Sequence, residues 1–151
     1  MTDPIIKTVV VNASPEQAFD LFVNRTAKWW PLDRHAVSAG AGNAALGVVI
    51  EPRVGGAVYE TMHDGARTEW GEVLTFEAGR GFGMSWHPGT DPGKQTRVDV
   101  TFEDHGHGQT KVTLTHSGWD VWAAEAQSKR DGYSGGWDYV IATCFAGAIG
   151  K

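Results

Sequence analysis

Between Val48 and His116 apolar and polar residues alternate in short runs, each bounded by a cluster of turn-forming residues: HDGA, EAGRG, HPGTDPGK and DHGHGQ. A period of two places successive side chains on opposite faces of a strand, so the stretch predicts an antiparallel meander with one apolar face. With every hairpin closed at the middle of its turn, the inward residues fall into rows across neighbouring strands. Trp86, Val98 and His116 form one, Met84, Val100 and Leu114 the next, and Phe82, Phe102 and Val112 the third.

The flanking segments are helical. After an apolar strand, IIKTVVV, comes SPEQAFDLFV, in which Ser14 suits an N-cap, Pro15 the first helical position and Gln17 a capping box. Ala18, Phe19, Leu21 and Phe22 give this helix an apolar face; KWWP follows, and Pro31 ends any further helix. Residues 32–47, rich in Ala and Gly, read as a loop. Residues 119–131 fit either a loop or a short helix, whereas YSGGWDYVIATCFAGAIG carries Trp137, Ile141, Cys144 and Ala148 along one helical stripe, with Ser134 suited to cap it. The order strand, helix, meander, helix predicts one α+β domain over residues 1–151, its curved antiparallel sheet wrapped around a long C-terminal α-helix with space between the layers.

The 151 residues, 41% hydrophobic and 21% charged, suffice for one core. A net charge of -5 without a Lys/Arg cluster excludes electrostatic attachment to nucleic acid. The single cysteine forbids an internal disulfide and fits a reducing compartment, and the N-terminus resembles neither a signal peptide nor a membrane span, so a cytoplasmic protein without membrane insertion is expected. Seven Trp are a surplus for this length and suggest a bulky core or an aromatic-lined site.

Several of these stretches, NASPEQAFDLFV, KWWP, EPRVGGAVYE, WGEVLTFEAGRGFGMSW and GYSGGWDYV, resemble successive landmarks of the activator of heat-shock protein 90 ATPase homologue-like family. That family belongs to the SRPBCC superfamily, which has the helix-grip fold of START domains and the birch-pollen allergen. The resemblance implies a cavity between sheet and C-terminal helix that takes apolar or amphipathic small molecules. It implies less about a reaction, because the superfamily includes carriers, sensors and cyclases. The eukaryotic co-chaperone carries a separate chaperone-binding domain, so a chaperone partner is not expected for this grip domain.

By that likeness Trp30, Trp86 and Trp137 point into the cavity from three separate elements, with Met84 and Val100 completing the wall and Ile141 on the facing helix stripe. Glu60 and His116 are the polar residues of the inward face. Three strands separate theirs, about 19 Å at about 4.8 Å per step, so they do not form an acid/base pair. The hairpin register sets Glu60 opposite Trp70, whose indole N–H suits its carboxylate, and Glu72 also points inward unless a bulge flips its strand. Glu60 has three readings: a structural group paired in the core, a ligand anchor or a catalytic acid. Gly132-Tyr133-Ser134-Gly135-Gly136 fits G-x-S-x-G but lacks the preceding strand of a nucleophile elbow, and His105-Gly106-His107 reads as a solvated turn rather than a metal pair.

The expected function is binding of an apolar or aromatic small molecule, with no cofactor and no metal. A cyclase- or hydrolase-like enzyme is the alternative, and a chaperone-stimulating module the third reading. Whether the protein forms a homodimer is left open.

Overall fold

The computed structural model describes residues 2–149. Seven strands form one antiparallel sheet: β1 (Ile5–Val11), β2 (Gly47–Ile50), β3 (Ala57–Thr61), β4 (Arg67–Glu77), β5 (Gly81–Trp86), β6 (Thr96–Gly106) and β7 (Gln109–Ser117), in the spatial order β1-β7-β6-β5-β4-β3-β2. β2 to β7 are thus the expected meander, and β1 closes on β7, with Ile5 opposite His116. Three strands do separate β3 from β7. The architecture is the expected helix-grip α+β fold.

Helix α1 (Pro15–Asn24) begins as its sequence dictates. The Ser14 hydroxyl accepts from the Gln17 N–H at 3.2 Å, the Gln17 side chain accepts from the Ser14 N–H at 3.1 Å, and Pro15 follows the cap. Its inner face, Ala18, Phe19, Phe22 and Val23, is buried against the sheet. The short α2 (Thr26–Trp29) ends before Pro31.

The register of β6 on β7 matches the expected rows: Val98 faces His116, Val100 faces Leu114 and Phe102 faces Val112. β5 is displaced by two residues from expectation, so that Trp86 faces Thr96, Met84 faces Val98 and Phe82 faces Val100. HPGTDPGK closes through two successive turns, Thr90 N–H to His87 C=O and Lys94 N–H to Asp91 C=O, rather than one central turn. A shift of two preserves the inward face, so the core composition survives the correction.

On β4 a bulge alters the prediction more. Glu60 faces Thr68, not Trp70, because the pairing slips between Val58–Gly71 and Tyr59–Glu69 and leaves Trp70 as the extra residue. Trp70 and Gly71 are therefore both buried, and Glu72 turns outward to solvent. Gly is required there: a Cβ on Gly71 would lie 1.8 Å from the Ser85 carbonyl oxygen.

The C-terminal helix starts earlier than expected. A 3-10 stretch, Trp119–Glu125, leads directly into α3 (Ala126–Asp138), so Ser134 lies inside the helix and caps nothing. From Tyr139 to Phe145 the helix widens to π geometry before a last α turn, α4 (Ala146–Ala148). The wider turn advances the inward stripe by about one residue. Val140, Ile141 and Phe145 are buried, while Cys144 is half-buried and Ala148 exposed, contrary to the expected stripe. Gly150, the last residue of that expected stretch, lies outside the described residues.

The space between sheet and helix is filled differently at its two ends. One end is a phenylalanine cluster, in which Phe22 packs on Phe82, Phe102 and Phe145 with ring centroids 5.7, 5.8 and 5.0 Å away. The other end is built from tryptophan, and there the packing leaves a void.

Candidate functional site

Four elements bring indoles to that end. Trp30 comes from the turn after α2, Trp70 from the β4 bulge, Trp86 from the end of β5 and Trp137 from α3. Trp30 lies 5.3 Å from Trp70, 6.2 Å from Trp86 and 6.0 Å from Trp137 between ring centroids, and Trp86 lies 5.4 Å from Trp137. Above them opens a cavity of about 560 Å³, lined by the four indoles, the loop residues His35 and Val37, and the inner face of α3. That size and apolar lining suit a small organic molecule.

Of the residues expected at the site, Trp30, Trp70, Trp86 and Trp137 line this cavity. Met84, Val100 and Ile141 are buried in the adjoining core and do not line it. Glu60 and His116 are fully buried behind the wall.

Glu60 is paired completely. Its two carboxylate oxygens accept from the backbone N–H of Val37 at 2.7 Å, the N–H of Ser38 at 2.9 Å and the Trp70 indole N–H at 3.1 Å. The carboxylate thus clips the 32–46 loop onto β3 and orients Trp70. The neighbouring Ser38 hydroxyl accepts from the His63 N–H at 3.0 Å, a second tie, from the same loop to the turn between β3 and β4.

His116 plays the corresponding part on the far side. Its Nδ1 accepts from the Trp137 indole N–H at 2.9 Å, and its Nε2 lies 2.7 Å from the Thr96 hydroxyl. An indole can only donate, so Nδ1 is unprotonated and Nε2 carries the hydrogen. The Thr96 hydroxyl in turn reaches the Trp86 carbonyl at 3.2 Å. Burial pushes the imidazole pKa down to about 3, which keeps it neutral.

Three further lining residues bring titratable side chains to the cavity, and Ser128 adds a hydroxyl. His35 is half-buried at the mouth; burial, then the Arg34 charge, lowers its pKa. Lys129 stands with its ammonium 4.3 Å from the Trp122 ring centroid. Tyr133 packs between His116, 5.0 Å away, and Trp119, 5.6 Å away. Tyr133 precedes Trp137 by four residues, so a helix begun earlier would have placed both on one face.

Gly132 and Gly136 line the cavity on the same helical face. Gly136 lets the His35 ring approach, since a Cβ there would stand 3.1 Å from its Cε1; at Gly132 a Cβ would meet nothing within 4 Å. Ser134 sits mid-helix without a strand before it, which removes the nucleophile-elbow reading.

Comparison with known proteins agrees with this architecture. An anthrahydroquino-gamma-pyrone synthase, Txn09, is 28% identical, with 97% of this chain covering 96% of the synthase at a TM-score of 0.66. A protein from Chromobacterium violaceum shares the fold at 18% identity, 99% coverage of both chains and a TM-score of 0.69. An Hsp90 activator from Plasmodium falciparum does so at 21% identity, over 78% of this chain and 74% of its own, with a TM-score of 0.54. No functionally curated protein matches the sequence. Residues 12–146 match the family model described as activator of Hsp90 ATPase homolog 1-like protein, and the chain belongs to that family.

Proposed function

We propose that this helix-grip domain binds a planar aromatic small molecule in the cavity between its sheet and C-terminal helix. The observation that carries the reading is the void of about 560 Å³ at the tryptophan end of an interior whose phenylalanine end is packed. Aromatic walls favour a flat aromatic guest through offset and edge-to-face contacts. The likeness to a synthase named for a polycyclic aromatic product supports the same ligand class.

That likeness also favours a second reading, a cyclase acting on such a ligand, with His35 and Tyr133 among the titratable groups in the wall. The Hsp90 activator shares only the fold at its level of identity, so the chaperone reading gains no support from it. The absence of a basic cluster and the lone cysteine favour a cytoplasmic protein that takes a small molecule rather than nucleic acid.

Intrinsic Trp fluorescence, titrated with planar aromatics such as anthraquinone-2-sulfonate and with apolar ligands of other shapes, tests the binding reading. Saturable quenching by the planar compounds is expected; a flat response to every class would refute it. An enzyme would in addition convert a ring-open keto aromatic into a ring-closed product, resolved by chromatography and mass spectrometry.

A further inference from the structure

Three of the four indoles lining the cavity have a defined acceptor. Trp30 donates to the His35 carbonyl at 2.6 Å, Trp70 to Glu60 and Trp137 to His116. The Trp86 N–H is buried and has no partner among the described residues. A buried donor left unpaired costs about 1–3 kcal/mol, so its retention in the wall of a cavity calls for an explanation.

Tyr133 stands on the same side: its ring lies 5.0 Å from His116, the Trp86 ring lies 6.3 Å from the same imidazole, and both side chains line the cavity. Burial pushes the Tyr133 pKa up, and the Trp86 N–H opposes that rise. Because an indole can only donate, the phenol oxygen is the acceptor in any bond between the two, which leaves the phenol proton to be donated elsewhere. It cannot go to His116, against which the Tyr133 ring packs, since both imidazole nitrogens are already engaged. The cavity that Tyr133 lines is open to it.

We propose that Tyr133 is the polar anchor of the cavity: its hydroxyl accepts from the Trp86 indole N–H and donates its proton to a carbonyl oxygen of the bound ligand. The inference rests on the cavity being a ligand site and narrows the ligand to planar aromatics that carry a keto or quinone oxygen. The Trp86 donor then gains its missing acceptor as the ligand draws the hydroxyl into place. Polarising the phenol from behind makes it a stronger donor to the ligand, and the pair selects against hydrocarbons of the same outline.

A matched pair of probes tests this. Anthraquinone-2-sulfonate and anthracene-2-sulfonate share ring outline and charge and differ in the two carbonyl groups. Isothermal titration of the whole chain is expected to show the quinone bound about tenfold more tightly, and Tyr133→Phe is expected to bring the ratio close to one. Equal affinities in the unaltered protein, or a preference that survives Tyr133→Phe, would overturn the anchor and leave an unselective apolar site. Binding of neither probe would overturn the ligand-site reading and the anchor with it.

Discussion

The Trp137 indole donates to Nδ1 of His116 at 2.9 Å, which joins the C-terminal helix to β7 through a histidine that must stay neutral. Protonating Nδ1 would set two donors against each other in a site without water access. Burial holds the folded pKa near 3 against about 6.5 in the unfolded chain, so the unfolded state binds the extra proton between those values. Stability is therefore complete above pH 6.5 and falls as the pH drops toward 3. The titratable ring facing His116, Tyr133, stays neutral throughout that window because burial raises its pKa. Urea unfolding at pH 7 and pH 5 should differ by about 2 kcal/mol from this group alone. His116→Gln should flatten that slope, and an unchanged slope would contradict the linkage.

Glu60→Gln tests the clip on the opposite side. A glutamine offers one carbonyl oxygen where three N–H groups now find a carboxylate, and it turns an amide donor toward one of them. A loss of about 2 kcal/mol is expected, with hydrogen exchange accelerated at Val37 and Ser38 ahead of the sheet. Exchange unchanged at those two amides would show that the loop is held by other contacts.

The sequence makes the meander, the capping box on α1, the inward face of β6 and β7 and the Trp70–Glu60 bond legible, because each depends on short-range periodicity or on a single residue type. The bond survives even though its register does not: the bulge that moves Glu60 opposite Thr68 keeps Trp70 on the inner face. Three features were not legible. The double turn in HPGTDPGK competes with a single central one, and composition does not choose between them. The π segment, Tyr139–Phe145, changes the helical period without a sequence signal and transfers burial from Cys144 to Phe145. His35 and Tyr133 reach the cavity only through the loop clip and the early start of α3, both tertiary facts. Glu60 and His116, conspicuous as lone polar residues on an apolar face, instead orient the tryptophans that make the wall.

Gly71→Ala probes the bulge. The added methyl would collide with the backbone of β5, 1.8 Å from the Ser85 oxygen and 2.6 Å from its carbon, and neither can rotate away as a side chain would. The two strands must separate, which costs about 3 kcal/mol or more and moves Trp70 off Glu60. Thermal denaturation should place this variant well below the unaltered protein. A melting temperature within a degree or two would mean that the strands separate at little cost.

Filling the cavity separates binding from folding. Gly132 lies in the interior of α3, where glycine costs about 0.8–1 kcal/mol relative to alanine, and a Cβ there meets nothing within 4 Å. Gly132→Leu therefore improves the helix while its side chain projects into the space a ligand would use, since Gly132 lines the cavity. The melting temperature is expected to rise by a few degrees while affinity for anthraquinone-2-sulfonate falls at least tenfold. An affinity loss accompanied by lower stability would indicate a damaged fold rather than a plugged site. Retained affinity in a stabilised variant would place the ligand somewhere other than between α3 and the tryptophans.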